Sequence, residues 1–334
     1  MRRVLPGGAL VGCAWLATAC GEKQSTLAPR SRPAREITDL WWAMMIGAWV
    51  VFGVVTMLLV LAVLRRRRGG GPLPVREPAD RGSKRLIVLG GLVVPALALS
   101  ALFAAGLRTL PATSAPKKGS EALTVRVTGH QWFWEARYVG TNAVTANEIH
   151  IPARTPVRLE VRTADVIHSF WVPELNRKID TIPGRTNAIL LRADEPGVFR
   201  GQCAEYCGLQ HANMAFTVFA DPPGRFRTWL ANEAAPARTP ASKSERSGLE
   251  VFLGRGCASC HTIRGTPADG DAGPDLTHVA ARSTLAALTI PNNRGQLAAW
   301  ILEPQHAKPG NKMPALDLTG RELQSLLDYL TALR

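Results

Sequence analysis

Charged side chains are absent from two long stretches in the first third of this 334-residue chain. Trp41–Leu64 contains 24 residues and Leu86–Leu107 contains 22 residues without a single charge. Runs of this length and composition are rare in soluble cores, which argues against a purely soluble protein. As a helix, the first run would span about 36 Å, enough to cross a ~30 Å hydrocarbon core with some tilt. The sequence therefore predicts a two-helix transmembrane hairpin over 36–110, in which Pro95 is tolerated.

Acidic residues are scarce: 26 Asp and Glu stand against 40 Lys and Arg, a net charge of +14. Residues 1–109 carry 15 basic and 5 acidic residues, whereas 110–234 and 235–334 are each only +2. Because the excess lies around the apolar runs, it indicates membrane orientation and contact with anionic lipid rather than a nucleic-acid partner. The basic connection Arg65–Arg85 should be cytoplasmic, which places everything after about residue 110 on the opposite side.

Cysteine is also infrequent, and its six copies fall into three local pairs. The first pair, Cys13 and Cys20, lies in a start typical of an export signal over residues 1–19. Ala17–Gly21 resembles a bacterial lipoprotein cleavage box, which would make Cys20 the lipidated residue. Ordinary cleavage after Ala19 and an uncleaved anchor are the alternatives. Disulfides would suit an exported protein, but nearby histidines favour metal or haem chemistry for the other two pairs.

The second pair lies in a segment, Cys203–Met214, that reads CAEYCGLQHANM. Together with His168, it offers two thiols, two imidazoles and a thioether. Soft sulfur with imidazole is the ligand set that suits copper. A zinc site of His168, Cys203, Cys207 and His211 is the main alternative, but it would leave Met214 without a role. A Cys203–Cys207 disulfide is a second alternative.

This segment resembles the dinuclear copper (CuA) loop of cytochrome c oxidase subunit II, and HSFWVPELNRKID around His168 resembles a second family segment. The resemblance implies that Cys203 and Cys207 bridge both coppers and that His168 and Met214 complete one of them. His211 and the backbone carbonyl of Glu205 would complete the other. The Glu205 side chain matches a magnesium or manganese ligand near subunit I. A thioredoxin-like copper chaperone lacks the following His-x-x-Met.

Apolar and polar residues alternate in short segments such as Leu123–Thr128, Val157–Val161 and Ala215–Phe219. Pro and Gly residues separate these segments. They predict an antiparallel all-β sandwich or barrel over 120–231. The resemblance makes this domain cupredoxin-like. It also makes Trp132, in GHQWFW, the residue that receives the incoming electron. By spacing alone, Trp132 and Trp134 would be core aromatics on one strand face.

A segment rich in Ala, Pro and Ser, 232–246, is typical of an interdomain linker. A capping box at Ser247–Glu250 predicts that a helix begins there, leading into Cys257-Ala-Ser-Cys260-His261. Cys-x-x-Cys-His is the attachment motif of c-type haem, with both thiols as thioethers and His261 as an axial iron ligand.

Three later features fit the haem motif. Gly273-Pro274 resembles the segment whose proline carbonyl orients the haem histidine, and Thr319–Glu322 is a capping box before a leucine-faced helix. Met313 offers the second axial ligand; alternatively it is a packing methionine, with His278 and His306 as rival ligands. The order of these parts resembles an all-α class I cytochrome c over 247–334.

The whole chain resembles subunit II of a caa3-type, proton-translocating cytochrome c oxidase. The resemblance implies a multidomain protein of the bacterial inner membrane with both redox domains on the periplasmic or extracellular side. Electrons would pass from a donor cytochrome c or the bc1 complex to the covalent haem and then to copper. From copper the electrons would pass to subunit I. Subunit III would be a further partner of the chain. The alternative is a membrane-anchored haem and copper protein that acts outside an oxidase.

Overall fold

The computed structural model describes residues 24–69, 81–117, 119 and 122–334. The signal over 1–19, the lipidation site Cys20 and much of the basic connection lie outside these residues. The described chain divides into two units, one formed by the apolar helices and one by the remaining residues.

The helical unit contains the two predicted membrane spans. Helix α1 covers Arg32–Gly69, and α2 (Arg81–Val88) continues through the π-helical segment Leu89–Val93 into α3 (Val94–Thr113). Within the described residues, both are long and apolar enough to cross a membrane, and neither apolar window is buried by protein. The exposed leucine, valine and phenylalanine side chains therefore require lipid as their solvent.

The π-helical segment has a local cause in the sequence. Pro95 lies one residue into α3, and a proline ring clashes with the carbonyl four residues earlier, here that of Gly91. Gly91 lies within the π-helical turn, where one extra residue per turn relieves that clash. The helix therefore continues past Pro95, as the sequence predicted.

The first part of the larger unit is a β sandwich of two five-stranded sheets, ordered β3-β2-β1-β5-β8 and β4-β10-β9-β6-β7. Its strands are β1 Leu123–His130, β2 Phe133–Tyr138, β3 Val144–Ala146, β4 Glu148–Pro152, β5 Val157–Thr163, β6 His168–Trp171, β7 Ile179–Thr181, β8 Asn187–Leu191, β9 Gly197–Cys203 and β10 Ala215–Asp221.

The prediction of a purely antiparallel arrangement is wrong at two pairs of strands. β1 runs parallel to β5, and β4 runs parallel to β10. Alternation along a strand reports which face is buried, but it carries no information about the direction of a neighbour. Pro152 ends β4; this is an edge strand, where a proline costs no central hydrogen bond.

The sandwich core consists of the inward-facing side chains of both sheets. Val125 and Val127 of β1 belong to the same buried cluster as Phe216 and Val218 of β10, and this cluster also includes Trp134. Cys203, Cys207 and Met214 belong to the same cluster, so the three sulfur-containing side chains of the predicted copper site are part of the core. Helix α4 (Pro223–Ala234) closes the domain by adding Phe226.

The last part of the chain is mainly helical, with the short ladder β11 Thr284–Leu285 and β12 Ile290–Pro291. Its α-helices are α5 Lys243–Gly254, α6 Arg294–Leu302, α7 Pro304–Ala307 and α8 Gly320–Leu330. Short 3-10 turns cover Cys257–Ser259 and Val279–Ala281 in this part of the chain. A further 3-10 turn, His211–Asn213, lies earlier, between β9 and β10 of the sandwich.

Helices α5 and α8 pack closely because Gly248 faces the backbone of Ser325, where a Cβ atom would collide. The capping box at Thr319 and Glu322 is confirmed, and it begins α8. Leu326, Leu327 and Leu330 then face the haem-domain core.

Two sequence predictions about the connection between the domains are wrong. Residues 232–234 belong to α4, and α5 already begins at Lys243. The connecting segment is therefore 235–242, shorter than the predicted 232–246. The capping box at Ser247 does not form, because Ser242 caps α5 instead, accepting a hydrogen bond from the backbone N–H of Glu245. Two Ser-x-x-Glu patterns, 242–245 and 247–250, follow each other closely here, and the earlier one forms the cap.

Candidate copper and haem sites

The copper loop, residues 203–214, connects two antiparallel strands at one end of the sandwich. β9 ends at Cys203 and β10 begins at Ala215, and the N–H of Cys203 donates to the carbonyl of Met214 across 2.9 Å. His168 begins β6, which pairs with β9 through Phe170 and Cys203. The ladder thus holds a histidine, and both ends of the loop, in fixed register.

Every predicted copper ligand lies in one cluster around the two thiols. The Sγ atom of Cys203 lies 3.7 Å from Sγ of Cys207, 3.9 Å from Nδ1 of His168 and 3.2 Å from the carbonyl of Glu205. The Sγ atom of Cys207 lies 3.6 Å from Nδ1 of His211 and 3.7 Å from Sδ of Met214. The structure therefore brings together residues separated by 35 positions in the chain.

The two thiols are free, because 3.7 Å is far beyond the ~2.05 Å of a disulfide bond. The ligand atoms of His168, Cys203 and Cys207 lie within 4.8 Å of one another, close enough to hold metal. The buried thioether of Met214 lies against Sγ of Cys207. Two thiols and two imidazoles would also suit zinc, but a soft thioether donor beside them fits copper.

The thiols also influence each other's protonation. A hydrogen bond with the Cys207 thiol, followed by one with His168, lowers the pKa of Cys203, although burial opposes this. The same pairing, together with burial, raises the pKa of Cys207. Metal binding at the pair requires both thiols to lose their protons.

Asp165 orients His168, and sequence reasoning did not select it. Its Oδ1 lies 2.8 Å from Nε2 of His168, which leaves Nδ1 directed at Cys203. Burial lowers the pKa of His168, but the bonds to Asp165 and Cys203 outweigh burial and raise it. A carboxylate on the remote ring nitrogen is the usual partner of a ligating histidine, so an acidic residue three positions earlier was the available signal.

Trp132 lies in the tight turn between β1 and β2, and its indole N–H donates to the carbonyl of Cys207 across 3.0 Å. The Gln131 side chain donates to the same carbonyl across 2.9 Å. Gly208 lies beneath the indole with a φ of +111°, where a side chain would meet the ring. Trp134, in contrast, is wholly buried core. The two tryptophans therefore do not share one role.

The side chain of Glu205 has a different environment from its backbone carbonyl. It is 44% exposed and lies 3.9 Å from the ammonium of Lys178. The carbonyl of the same residue faces Cys203, so backbone and side chain are directed to different neighbours. The donor type suits a hard cation such as magnesium or manganese.

The haem motif lies at the start of the helical domain. Cys257 begins a 3-10 turn, both thiols are free and half-buried, and Nδ1 of His261 donates to the carbonyl of Pro274 across 2.8 Å. That bond leaves Nε2 of His261 for iron. Burial lowers the pKa of His261, which favours the neutral ring that a metal requires. The thiol pair and this oriented ring fit a covalent c-type haem.

The candidates for the second axial ligand differ in their surroundings. Met313 packs against the haem-domain core, and its N–H donates to Oδ1 of Asn311. His278 is buried, and its Nε2 lies 3.0 Å from the carbonyl of Ala235. His306 is exposed on α7. Only Met313 among the three therefore combines a soft donor with a place beside the core.

Apolar helices, a cupredoxin-like sandwich with a sulfur and imidazole cluster, and a cytochrome c domain define a membrane-anchored redox subunit. The family model for the periplasmic domain of cytochrome c oxidase subunit II matches residues 141–220, and the cytochrome c model matches 246–334.

Similar proteins extend over nearly the whole chain. Cytochrome c oxidase subunit 2 of Alkalihalophilus pseudofirmus is 34% identical over 332 residues, covering 95% of this chain and 93% of the relative. The Bacillus subtilis protein of the same name is 29% identical over 340 residues, covering 96% and 94%. The solved periplasmic domain of subunit II from Bradyrhizobium japonicum is 32% identical and covers 36% of this chain and 99% of its own, with a TM-score of 0.34. The chain belongs to the cytochrome c oxidase subunit 2 family, with a cytochrome c domain fused at its C-terminal end.

Proposed function

We propose that this chain is the electron-accepting subunit of a caa3-type oxidase, with the copper domain over 120–231 and the haem domain beginning near Lys243. The observation that carries the proposal is the thiol pair at 3.7 Å, with two imidazole nitrogens and a thioether sulfur around it. When bound, a copper pair and a covalent haem supply one-electron chemistry, which would connect a donor cytochrome or the bc1 complex to subunit I, where oxygen is reduced to water.

The chain's own residues have distinct parts in this proposal. Cys203 and Cys207 would bridge two coppers, with His168 and Met214 on one and His211 and the Glu205 carbonyl on the other. Cys257 and Cys260 would hold the haem, with His261 and Met313 on its iron. The sandwich keeps the copper ligands rigid, and its buried core excludes water from the sulfurs.

Trp132 and Glu205 would connect the copper site to its surroundings. The indole N–H of Trp132 reaches the backbone of a copper ligand, Cys207, which supports a role in receiving the electron. The half-exposed carboxylate of Glu205 would ligate magnesium or manganese at the contact with subunit I. Both redox domains would face the periplasmic or extracellular side, because the basic connection between the helices should be cytoplasmic.

The test is purification of the protein from membranes, followed by metal analysis and an optical spectrum. Two coppers and one c-type haem per chain, recovered together with a haem–copper subunit, are the expected result. Zinc in place of copper would contradict the copper assignment. Full metal content without any haem–copper partner would instead favour a membrane-anchored electron-transfer protein outside an oxidase.

A further inference from the structure

The loop that carries Met313 lies directly against the copper loop. We define the methionine loop as residues 308–313. The side-chain amide of Gln210 donates to the carbonyl of Pro309 across 2.7 Å. Gly310 has a φ of +78°, and a Cβ atom there would lie 2.5 Å from Leu209. The two segments that supply the proposed metal ligands are thus in direct contact, with the side chain of Leu209 packed against Gly310.

Lys308 crosses this contact with a side chain that is only 3% exposed. Its ammonium donates to the carbonyls of Trp132 and Asn213, each across 2.8 Å, and to that of Ala286 across 3.2 Å. The first two carbonyls belong to the copper domain and the third to the haem domain. Three acceptors match the three N–H groups of a lysine ammonium, so the charge is buried but fully hydrogen-bonded.

Burial removes the ammonium of Lys308 from water, and this loss of hydration lowers the pKa of Lys308 to about 7. The hydrogen bonds act against that cost. Removing the ammonium would leave two copper-domain carbonyls buried without a donor, which is the more expensive state. Lys308 therefore connects the two domains by buried hydrogen bonds and is not a solvated surface lysine.

Two further contacts hold the same two domains together away from the loops. Ser283 donates through both its N–H and its hydroxyl to Oε1 of Glu148, a buried carboxylate. Arg264 donates to the carbonyls of Asn142 and Glu233. The copper and haem domains accordingly fall in one compact unit.

The connecting segment is also fixed rather than loose. The N–H of Ala237 donates to the carbonyl of Arg264 across 2.9 Å, and the guanidinium of Arg238 donates to the carbonyl of Ala332 across 2.8 Å. A flexible tether would raise only the local concentration of the donor domain. A segment hydrogen-bonded to the haem domain at Ala237 and Arg238 restrains that domain further.

We propose that Lys308 is a positioning residue, which locks the methionine loop onto the copper loop so that the haem domain acts from one docked position. The electron-transfer part of this inference rests on the proposed function. The loop contact itself does not, because it involves only groups of this chain.

The test compares Lys308→Met with wild-type protein in the purified oxidase, with Lys243→Met as the matched control. Lys243 is an exposed lysine at the start of α5, so its variant removes the same charge away from the loops. Two quantities are measured: amide hydrogen exchange in 209–213 and 308–313, and the rate of electron transfer between haem and copper after photoreduction.

For Lys308→Met, exchange in both loops should rise about tenfold, because two buried carbonyls lose their donor. Electron transfer should slow about tenfold or more, because small misplacements of a reacting pair are costly. Lys243→Met should change neither quantity. Unchanged exchange and unchanged rate in Lys308→Met would overturn the proposal.

A second variant covers the case in which Lys308→Met does not assemble. Gln210→Ala removes the bond to Pro309 and should raise exchange in the same two loops by a smaller factor. Unchanged exchange in that variant would overturn the docking of the loops. Hydrogen exchange needs neither metal nor haem activity, so wild-type protein without copper and haem would contradict the proposed function while leaving this test intact.

Discussion

At the scale of single residues, the copper site depends on groups whose chemistry the sequence shows and on neighbours that it does not. The sulfur and imidazole ligands are visible as a motif, whereas the fold shows which of the many acidic residues, Asp165, fixes the His168 ring. Met214 is 1% exposed, and its thioether sulfur lies 3.7 Å from Sγ of Cys207.

Replacing Asp165 by Asn should loosen the ring of His168. Asp165 accepts from that ring and from the N–H of Gln131, and an amide cannot replace a carboxylate at both oxygens. Loss of such a ring partner typically lowers metal affinity about 10- to 100-fold. Copper content after dialysis against a chelator measures the effect. Asp180→Asn, on the paired strand β7, should retain wild-type copper; equal retention in both variants would contradict the role of Asp165.

Replacing Met214 by Leu should change the copper site while leaving the haem attached. Leucine has similar volume, so the sandwich core should tolerate it. The loss of one sulfur donor should shift the copper potential and slow electron transfer to subunit I. Redox titration of the copper band provides the measurement, and Met313→Leu is the matched control that should alter the haem spectrum alone. Loss of covalent haem in Met214→Leu would contradict separate domains.

At the scale of elements, local signals located most helices and strands but not all of their ends. α8 begins where its capping box predicts, with Thr319 and Glu322 bonded reciprocally. α5 begins four residues before the predicted Ser247–Glu250 box, because Ser242 supplies the cap. Strand direction was missed at β1–β5 and β4–β10, since side-chain alternation is the same in parallel and antiparallel ladders.

The stability of the haem domain should fall in acid partly through Glu322. Backbone hydrogen bonding at Thr319, followed by Arg255, lowers the pKa of Glu322 to about 2, below its ordinary 4.5. A depressed carboxyl pKa stabilises the fold above the ordinary value, and this stabilisation is lost as pH falls towards 2. Glu322→Gln should therefore be less stable than wild type at pH 7, and the difference should shrink at pH 3.

Urea unfolding followed by haem absorbance measures this difference at the two pH values. Glu250→Gln, an exposed glutamate on α5, is the matched control and should show little difference at either pH. A wild-type advantage that stays constant from pH 7 to pH 3 would show that the Glu322 charge is not its source.

At the scale of the whole molecule, the chain contains two redox domains whose ligands are separate but whose loops touch. All proposed copper ligands lie in 168–214, and all proposed haem ligands lie in 257–313. Lys308 and Gln210 connect the loops without supplying ligand atoms. Each site should therefore load independently, although electron transfer between them depends on docking.

Replacing His261 by Ala should abolish the normal c-haem spectrum and preserve the copper site. Within the described part of the chain, the hydrogen bond of the His261 ring goes to Pro274 of the haem domain, so its loss should leave the sandwich unaltered. Copper analysis and the copper absorption band of the purified variant check this. If copper were lost together with the haem spectrum, the two sites would not be independent.

The sequence by itself determined the membrane spans, the ligand types and the order of the domains. The membrane spans, the ligand types and the domain order depend on local composition and on short spacings along the chain, and these are the same whether or not the chain is folded. The tertiary structure decided which residues meet: Asp165 with His168, Trp132 with the Cys207 carbonyl, and Lys308 with three carbonyls from two domains. Backbone carbonyls are present at every residue, so no sequence pattern marks the few that a distant lysine will reach.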